Sequence, residues 1–324
     1  MIRAFGVQKW FGGKRALGPV SFEIARGETV GFLGLNGAGK TTLLRILAGE
    51  LRPSGGTLEV GGTDAMREPL AVRKLVGFLP EFPPLYPDMT VRDYLRFAGM
   101  VRGMDGATLQ GRLEEVEALV GLGPVREELT RTLSQGFRQR VGFAQAIIHE
   151  PELLVLDEPA HDLDPAQIVE MRSLLHTLEG RHTILLSSHN LPEISETCDR
   201  LFVLDAGEVI ASGSETELAS HWLDTQQVEV ALRAAANDLA PAVQRLRSIE
   251  AVRNVTVDER DGNGEGPVLV VECSDDCRAE ICRLLVEDGW DMLRLVRSRR
   301  KLESIFLGLV HGTERTRRQS HSAA

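Results

Sequence analysis

Continuous apolar runs with little alternation punctuate the N-terminal part of the chain: Thr29 to Leu33, Leu153 to Leu156, Thr183 to Ser187 and Leu201 to Leu204. Such runs predict strands buried on both faces, as in a sheet covered by helices. Helix-length segments alternate with them to about residue 213, so the expected fold class is α/β. Asp205-Ala206-Gly207-Glu208 turns the chain into Val209 to Ala211, an expected edge hairpin. Between the proline-rich stretch Pro80 to Pro87 and Pro151 the pattern is mostly helical, with Val91 to Val101 and Leu109 to Val120 as helices. A helical lobe over about residues 85–150, set into the sheet domain, is expected.

After His221 the rhythm changes. Strand Val228 to Leu232, helix Ala240 to Ser248, strand Val252 to Val257 and a glycine-rich turn at Gly262 to Gly266 come first. Strand Val268 to Cys273, helix Arg278 to Glu287 and strand Met292 to Val296 follow. This βαββαβ order is that of the split ferredoxin-like sandwich. Lys301 to Val310 reads as one further helix, and the polar segment His311 to Ala324 as a disordered tail. The expected organisation is an α/β domain over 1–220, a small α+β ferredoxin-like accessory domain over 221–310, and a tail over 311–324.

Composition narrows the function. A chain of 324 residues with 43% hydrophobic content can bury two cores. Its formal charge of −10 leaves no broad basic footprint, so no nucleic-acid partner is expected. The strand-like opening Ile2 to Val7 is unlike a secretory leader, and the longest apolar runs fall far short of the ~20 residues that span a bilayer. A cytoplasmic location follows as the expectation, with any membrane passage supplied by another chain. The four cysteines, Cys198, Cys273, Cys277 and Cys282, match no paired metal or disulfide spacing and are expected as reduced thiols.

Chemistry enters with Gly34-Leu35-Asn36-Gly37-Ala38-Gly39-Lys40-Thr41, which fits G-x-x-x-x-G-K-[ST]. It follows an expected strand and opens the apolar helix Thr42 to Ala48, the context in which backbone N–H groups wrap phosphate oxygens. A helix start adds about half a positive charge there. A glycine-rich turn with an incidental lysine is the bland alternative, and strand, spacing and helix together argue against it. Lys40 is expected to reach the β and γ phosphates of ATP, and the Thr41 hydroxyl to hold Mg²⁺.

Leu153 to Leu156 then delivers two carboxylates, Asp157 and Glu158, at a strand's C-terminal end, where α/β sheets hold ligands. Acidic residues closing a strand are often merely solvated. Beside a phosphate-binding loop they acquire distinct roles, with Asp157 suited to the Mg²⁺ shell and Glu158 to act as general base for the attacking water.

A third motif, Leu133-Ser134-Gln135-Gly136-Phe137-Arg138-Gln139-Arg140, lies between the first two. Through it the sequence resembles the ATP-binding subunits of ABC transporters, whose signature is usually written L-S-G-G-Q, with Gln135 and Phe137 as departures. The resemblance covers residues 1 to about 220. It implies a P-loop ATPase domain in which Ser134 and Gly136, at a helix start, grip the γ-phosphate held by a second subunit. Each ATP is thus expected between two chains, most simply a homodimer. It further implies His189 as the switch histidine at the γ-phosphate, Leu163-Asp164 as the loop linking the two sites, and Phe11, in Trp10-Phe11-Gly12, as the ring stacking on adenine. Ala160-His161-Asp162 replaces the more usual Thr-x-Gly, and Glu81 stands at the place of a glutamine that senses Mg²⁺ and γ-phosphate. The surroundings of Glu81, Leu-Pro-Glu-x-Pro-Pro-Leu-Tyr, are similar to ATPases of exporters with separate permeases, including gliding-motility and copper-enzyme-maturation types. The implied function is to energise an integral membrane permease from the inner face of the membrane, with the stretch Phe82 to Tyr94 receiving it. The competing class is a soluble ABC ATPase acting on ribosomes, DNA or cofactor assembly. Against it stand a single phosphate-binding loop and the lack of long heptad helices. A small-molecule kinase would leave Leu133 to Arg140 unexplained.

Overall fold

Two sheets, where the apolar pattern predicts one, build the N-terminal part of the computed structural model, which describes residues 1–221, 226–234, 238–258 and 267–298. The chain divides into two compact units, Met1–Glu215 and Thr216–Ala324. Strands of the first are β1 (Ile2–Phe11), β2 (Lys14–Ile24), β3 (Thr29–Leu33), β4 (Gly55–Val60), β5 (Thr63–Asp64), β6 (Val76–Leu79), β7 (Leu153–Asp157), β8 (Thr183–Ser188), β9 (Arg200–Asp205) and β10 (Glu208–Gly213). Its helices are α1 (Lys40–Leu47), α2 (Pro69–Leu75), α3 (Val91–Val101), α4 (Gly106–Leu119), α5 (Gln135–Ile147), α6 (Pro165–Leu178) and α7 (Leu191–Ser195), and α8 (Glu215–His221) comes next in the chain.

The six-stranded sheet has the order β10-β9-β3-β8-β7-β6. Its inner strands are parallel, and β10 closes one edge antiparallel to β9, the hairpin expected from the Asp205 to Glu208 turn. Every residue of β3, β7 and β8 is buried, as unalternating apolar runs require. The second sheet, β2-β1-β4-β5, is antiparallel. Its signal lies in β2, where Leu17, Val20, Phe22 and Ile24 face inward between exposed positions.

Helix α1 packs into the core that the two sheets share, burying Leu43, Leu44, Ile46 and Leu47. Each such side chain contributes roughly 1.5–3 kcal/mol, so α1 is firmly seated. Phe22 of one sheet meets Phe32 and Phe202 of the other at centroid distances of 5.9 and 5.4 Å, closing the interface with a ring cluster. Helices α3 to α5 form the lobe between β6 and β7. Each is started by a side-chain cap, Thr90, Asp105 and Ser134 respectively. Arg92 of α3 grips the buried Glu117 of α4 through two hydrogen bonds of 3.1 and 2.9 Å.

The second unit holds β11 (Gln226–Leu232), α9 (Ala240–Leu246), β12 (Val252–Asp258), β13 (Val268–Cys273), α10 (Arg278–Glu287) and β14 (Met292–Ser298). The antiparallel order β12-β13-β11-β14 is the ferredoxin-like arrangement expected from the sequence. Val228, Val230, Leu269 and Val271 pack against Leu246 of α9 and Ile281 and Leu285 of α10. One expectation is corrected: Cys273 and Cys277 are paired as a disulfide. The turn from β13 into α10 brings their Cα atoms to 6.6 Å, inside bridging range, although their spacing gives no sign of it. The expected glycine-rich turn at Gly262 to Gly266, the helix Lys301 to Val310 and the tail His311 to Ala324 lie outside the described residues.

Candidate nucleotide site

The parallel order places the ends of β3, β8, β7 and β6 side by side, and the chemistry-bearing residues follow those ends. Residues Gly34 to Gly39 leave β3 and lead straight into α1, whose N-cap, Gly39, has φ 103° and no side-chain cap. A Cβ at Gly39 would lie 2.9 Å from the Ala16 carbonyl oxygen, so both backbone angle and space demand glycine. Lys40 follows with its side chain only 6% exposed, its Nζ donating to the Gly34 carbonyl at 2.7 Å and lying 3.2 Å from Glu158 Oε1. The lysine thus rests against its own loop and the carboxylate.

Asp157 ends β7 and Glu158 follows it, and Ser187 of the neighbouring β8 serves both. Its hydroxyl donates to Asp157 Oδ1 at 2.7 Å and accepts from the Glu158 N–H at 3.0 Å. Glu158 carries φ 48°, a left-handed backbone uncommon for a residue with a side chain and of the kind found at functional turns. Its Oε2 lies 2.8 Å from His189 Nδ1. Burial pushes the Asp157 carboxyl up from its ordinary pKa, opposed by hydrogen bonds from Ser187 and Thr41.

Several of these groups line a cavity of about 680 Å³. Of the residues singled out in the sequence, Phe11, Asn36, Gly37, Gly39, Lys40, Thr41, Thr42, Glu81, Glu158 and His189 line it. Gly34, Ala38 and Asp157 do not. Ala38 is buried, with its N–H bonded to Leu35 and its carbonyl to Gly207 N–H, and Asp157 sits behind Thr41. Charged and titratable lining residues that the sequence motifs do not place here are Lys14, Arg15 and His161. The first two follow Phe11 closely enough in the chain to be suspected. His161 stands out in the sequence only as a departure in the linking loop.

Ser134 and Gly136 are not on this cavity. Ser134 caps α5, its Oγ accepting from the Phe137 N–H at 3.4 Å. Gly136 lies so close to Gln167 of α6 that a Cβ would come within 2.8 Å of the amide. Gln167 belongs to the capping box that Asp164 forms at the start of α6, so this tip is tied to the Leu163-Asp164 loop.

A larger cavity, about 960 Å³, opens between the lobe and α2, with Tyr86, Tyr94, Phe97 and Arg102 in its wall. The Tyr94 hydroxyl donates to Gln145 Oε1 at 2.5 Å, and burial pushes its pKa up to about 12. Tyr86 packs edge-on against both Tyr94 and Phe97.

The donor set suits a hard cation that keeps most of its ligands as water and phosphate. The Thr41 hydroxyl and the Asp157 carboxylate already touch, both being oxygen donors. Among the described residues no cluster of three or more His, Cys, Asp or Glu is poised to hold a metal alone. Among the same residues no helix is long and apolar enough to cross a membrane.

The model of the ABC transporter family matches residues 17–161. The chain is 30% identical to the bacitracin transport ATP-binding protein BcrA of Bacillus licheniformis, over 96% of this chain and 98% of that one. Among solved structures, the dimeric structure of MJ0796, a bacterial ABC transporter cassette, superposes with a TM-score of 0.62 at 25% identity, over 66% of this chain and 98% of that chain. With the daunorubicin resistance ATP-binding protein DrrA3 of Streptomyces coeruleorubidus it shares 34% identity over 98% of both. Likeness sustained over nearly the whole length, and not just around the phosphate loop, places the chain in the ATP-binding, ATP-hydrolysing subunits of the ABC transporter family.

Proposed function

We propose that two copies of this chain close on two Mg-ATP molecules and drive a separate membrane permease, as the cytoplasmic motor of an exporter. The observation that carries this reading is the separation within one chain. The glycine loop, Glu158 and His189 share a cavity, while Ser134 and Gly136 lie off it, so a γ-phosphate grip by that tip calls for a second chain. The dimeric MJ0796 cassette supports it. The names of the relatives, one a bacitracin transport protein and one a daunorubicin resistance protein, support export.

In this reading Phe11 stacks on adenine, and the backbone from Gly34 through Asn36, Gly37, Ala38 and Gly39 to Thr42 wraps the phosphates. Lys40 exchanges Glu158 and the Gly34 carbonyl for phosphate oxygens. That exchange frees Glu158 to accept a proton from the attacking water, with His189 fixing the carboxylate and facing the γ-phosphate. Thr41, Asp157 and Glu81 would hold Mg²⁺, which would supply neutralisation of phosphate charge. The aromatic cavity around Tyr86 and Tyr94 receives the permease and keeps the motor at the inner face of the membrane.

Glu158→Gln is the deciding variant. It is expected to bind Mg-ATP, lose turnover by about 10²- to 10⁴-fold, and run as a dimer in light scattering. A strictly monomeric Mg-ATP-saturated form, with and without a membrane partner, would overturn the proposal.

A further inference from the structure

Each of the two carboxylates lining the nucleotide cavity faces an imidazole. Glu158 has His189 at 2.8 Å, and Glu81 has His161, whose Nε2 lies 3.6 Å from Glu81 Oε1. The second pair is assembled by the fold, since Glu81 follows β6 and His161 follows β7, the strand beside it. His161 is held where it stands. Its backbone N–H donates to the Glu158 carbonyl at 3.0 Å, making a tight turn directly behind that carboxylate. The Phe82 ring meets the imidazole edge-on at 5.4 Å, and Asp162 Oδ2 lies 3.3 Å from the same Nε2.

Glu81, about a third exposed, is by contrast a long side chain with rotamer freedom on a proline-rich stretch. A free carboxylate on this wall would sample several rotamers and place negative charge against the triphosphate. The distance of 3.6 Å is contact range for an ionic or water-bridged pair and is longer than a direct hydrogen bond. Either form biases Oε1 toward His161 and leaves Oε2 available to a second partner, on a side chain that lines the cavity.

We infer that His161 is a positioning residue for Glu81, clamping one carboxylate oxygen so that the other is presented to the metal and γ-phosphate. The inference rests on the reading of Glu81 given above, and it ties that side chain mechanically to the turn that carries Glu158.

The test is a double-mutant cycle of His161→Ala and Glu81→Gln in the full chain loaded with a non-hydrolysable ATP analogue. Mn²⁺ affinity is read by electron paramagnetic resonance, and kcat and KM for ATP are measured alongside. His161→Ala is expected to weaken Mn²⁺ binding about 3- to 10-fold and to lower kcat while KM for ATP in excess Mg²⁺ stays within about twofold. In the Glu81→Gln background the same change is expected to do nothing further. His161→Gln, which keeps a donor of similar reach, is expected to retain most of the affinity and guards against a variant that merely folds poorly. Equal losses from His161→Ala in both backgrounds would overturn the inference alone. A Glu81→Gln protein with wild-type Mn²⁺ affinity would overturn the reading of Glu81 and the inference with it.

Discussion

Helices α1 and α5 both begin with a short, small-residue tip, and they are finished in opposite ways. The tip of α1 has a left-handed glycine, no side-chain cap, and a buried lysine at its first position. That of α5 has Ser134 in extended conformation, with its hydroxyl already bonded to the Phe137 N–H. An uncapped helix start beside a buried cation is complete as an anion site. A serine-capped start is stable by itself and can exchange a long 3.4 Å bond for a phosphate oxygen when another chain presents one. On the proposal above, the difference separates the half of the site built into the protomer from the half offered to a neighbour.

The largest effect should come from finishing α1 like α5. Gly39→Ser puts a Cβ against the Ala16 carbonyl at an unfavourable φ. Strain of about 1–3 kcal/mol follows, and nucleotide affinity is expected to fall on the order of 10- to 100-fold in equilibrium binding. Wild-type affinity in that variant would break the contrast between the two tips.

Stripping α5 of its cap comes next. Ser134→Ala should lower turnover by about tenfold or more and melt the protein slightly earlier, by about 1 kcal/mol of stability. Protomer affinity for nucleotide should stay unchanged, because Ser134 is off the cavity. A fall in affinity for a form kept monomeric would show that both tips serve one chain.

The smallest effect at neutral pH concerns how the helices are seated, and it grows only on acidification. α1 is held by apolar side chains, whereas α5 is followed by His149, a half-buried imidazole whose Nε2 sits 3.2 Å from the Val76 carbonyl. Burial, with the Arg102 charge nearby, pulls its pKa down to about 4. The folded protein therefore resists protonation that the unfolded chain accepts near pH 6.5. Stability from this group is present above pH 6.5 and lost as pH falls toward 4, up to about 3 kcal/mol in all. His149→Gln should flatten that part of the pH–stability curve, as measured by urea unfolding at stepped pH. A curve that keeps its slope would move the acid sensitivity elsewhere.

Legibility followed chain contiguity. The strand, loop and helix from Thr29 to Ala48 could be read directly, since their apolar run, glycine spacing and helix start are contiguous in the chain. The helices Val91–Val101 and Arg278–Glu287 matched their expected bounds for the same reason, with period and boundary residues agreeing. The antiparallel sheet β2-β1-β4-β5 was not separated from its parallel neighbour, because alternation reveals that a strand has one buried face and not which partner covers it. The Cys273–Cys277 disulfide escaped notice likewise, since it depends on how the turn after β13 folds back.

By itself the sequence determined the glycine loop between β3 and α1, the paired carboxylates at a strand end and the βαββαβ succession of elements in the second unit, for each is written in contiguous residues. Tertiary structure alone decided that Lys40 meets Glu158, that His161 meets Glu81, and that Ser134 stands apart from the cavity. Those pairings are set by the order β3-β8-β7-β6, which brings distant strand ends within a few ångströms of one another. Strand order is chosen by the packing of the whole core, so no short stretch of the chain encodes it.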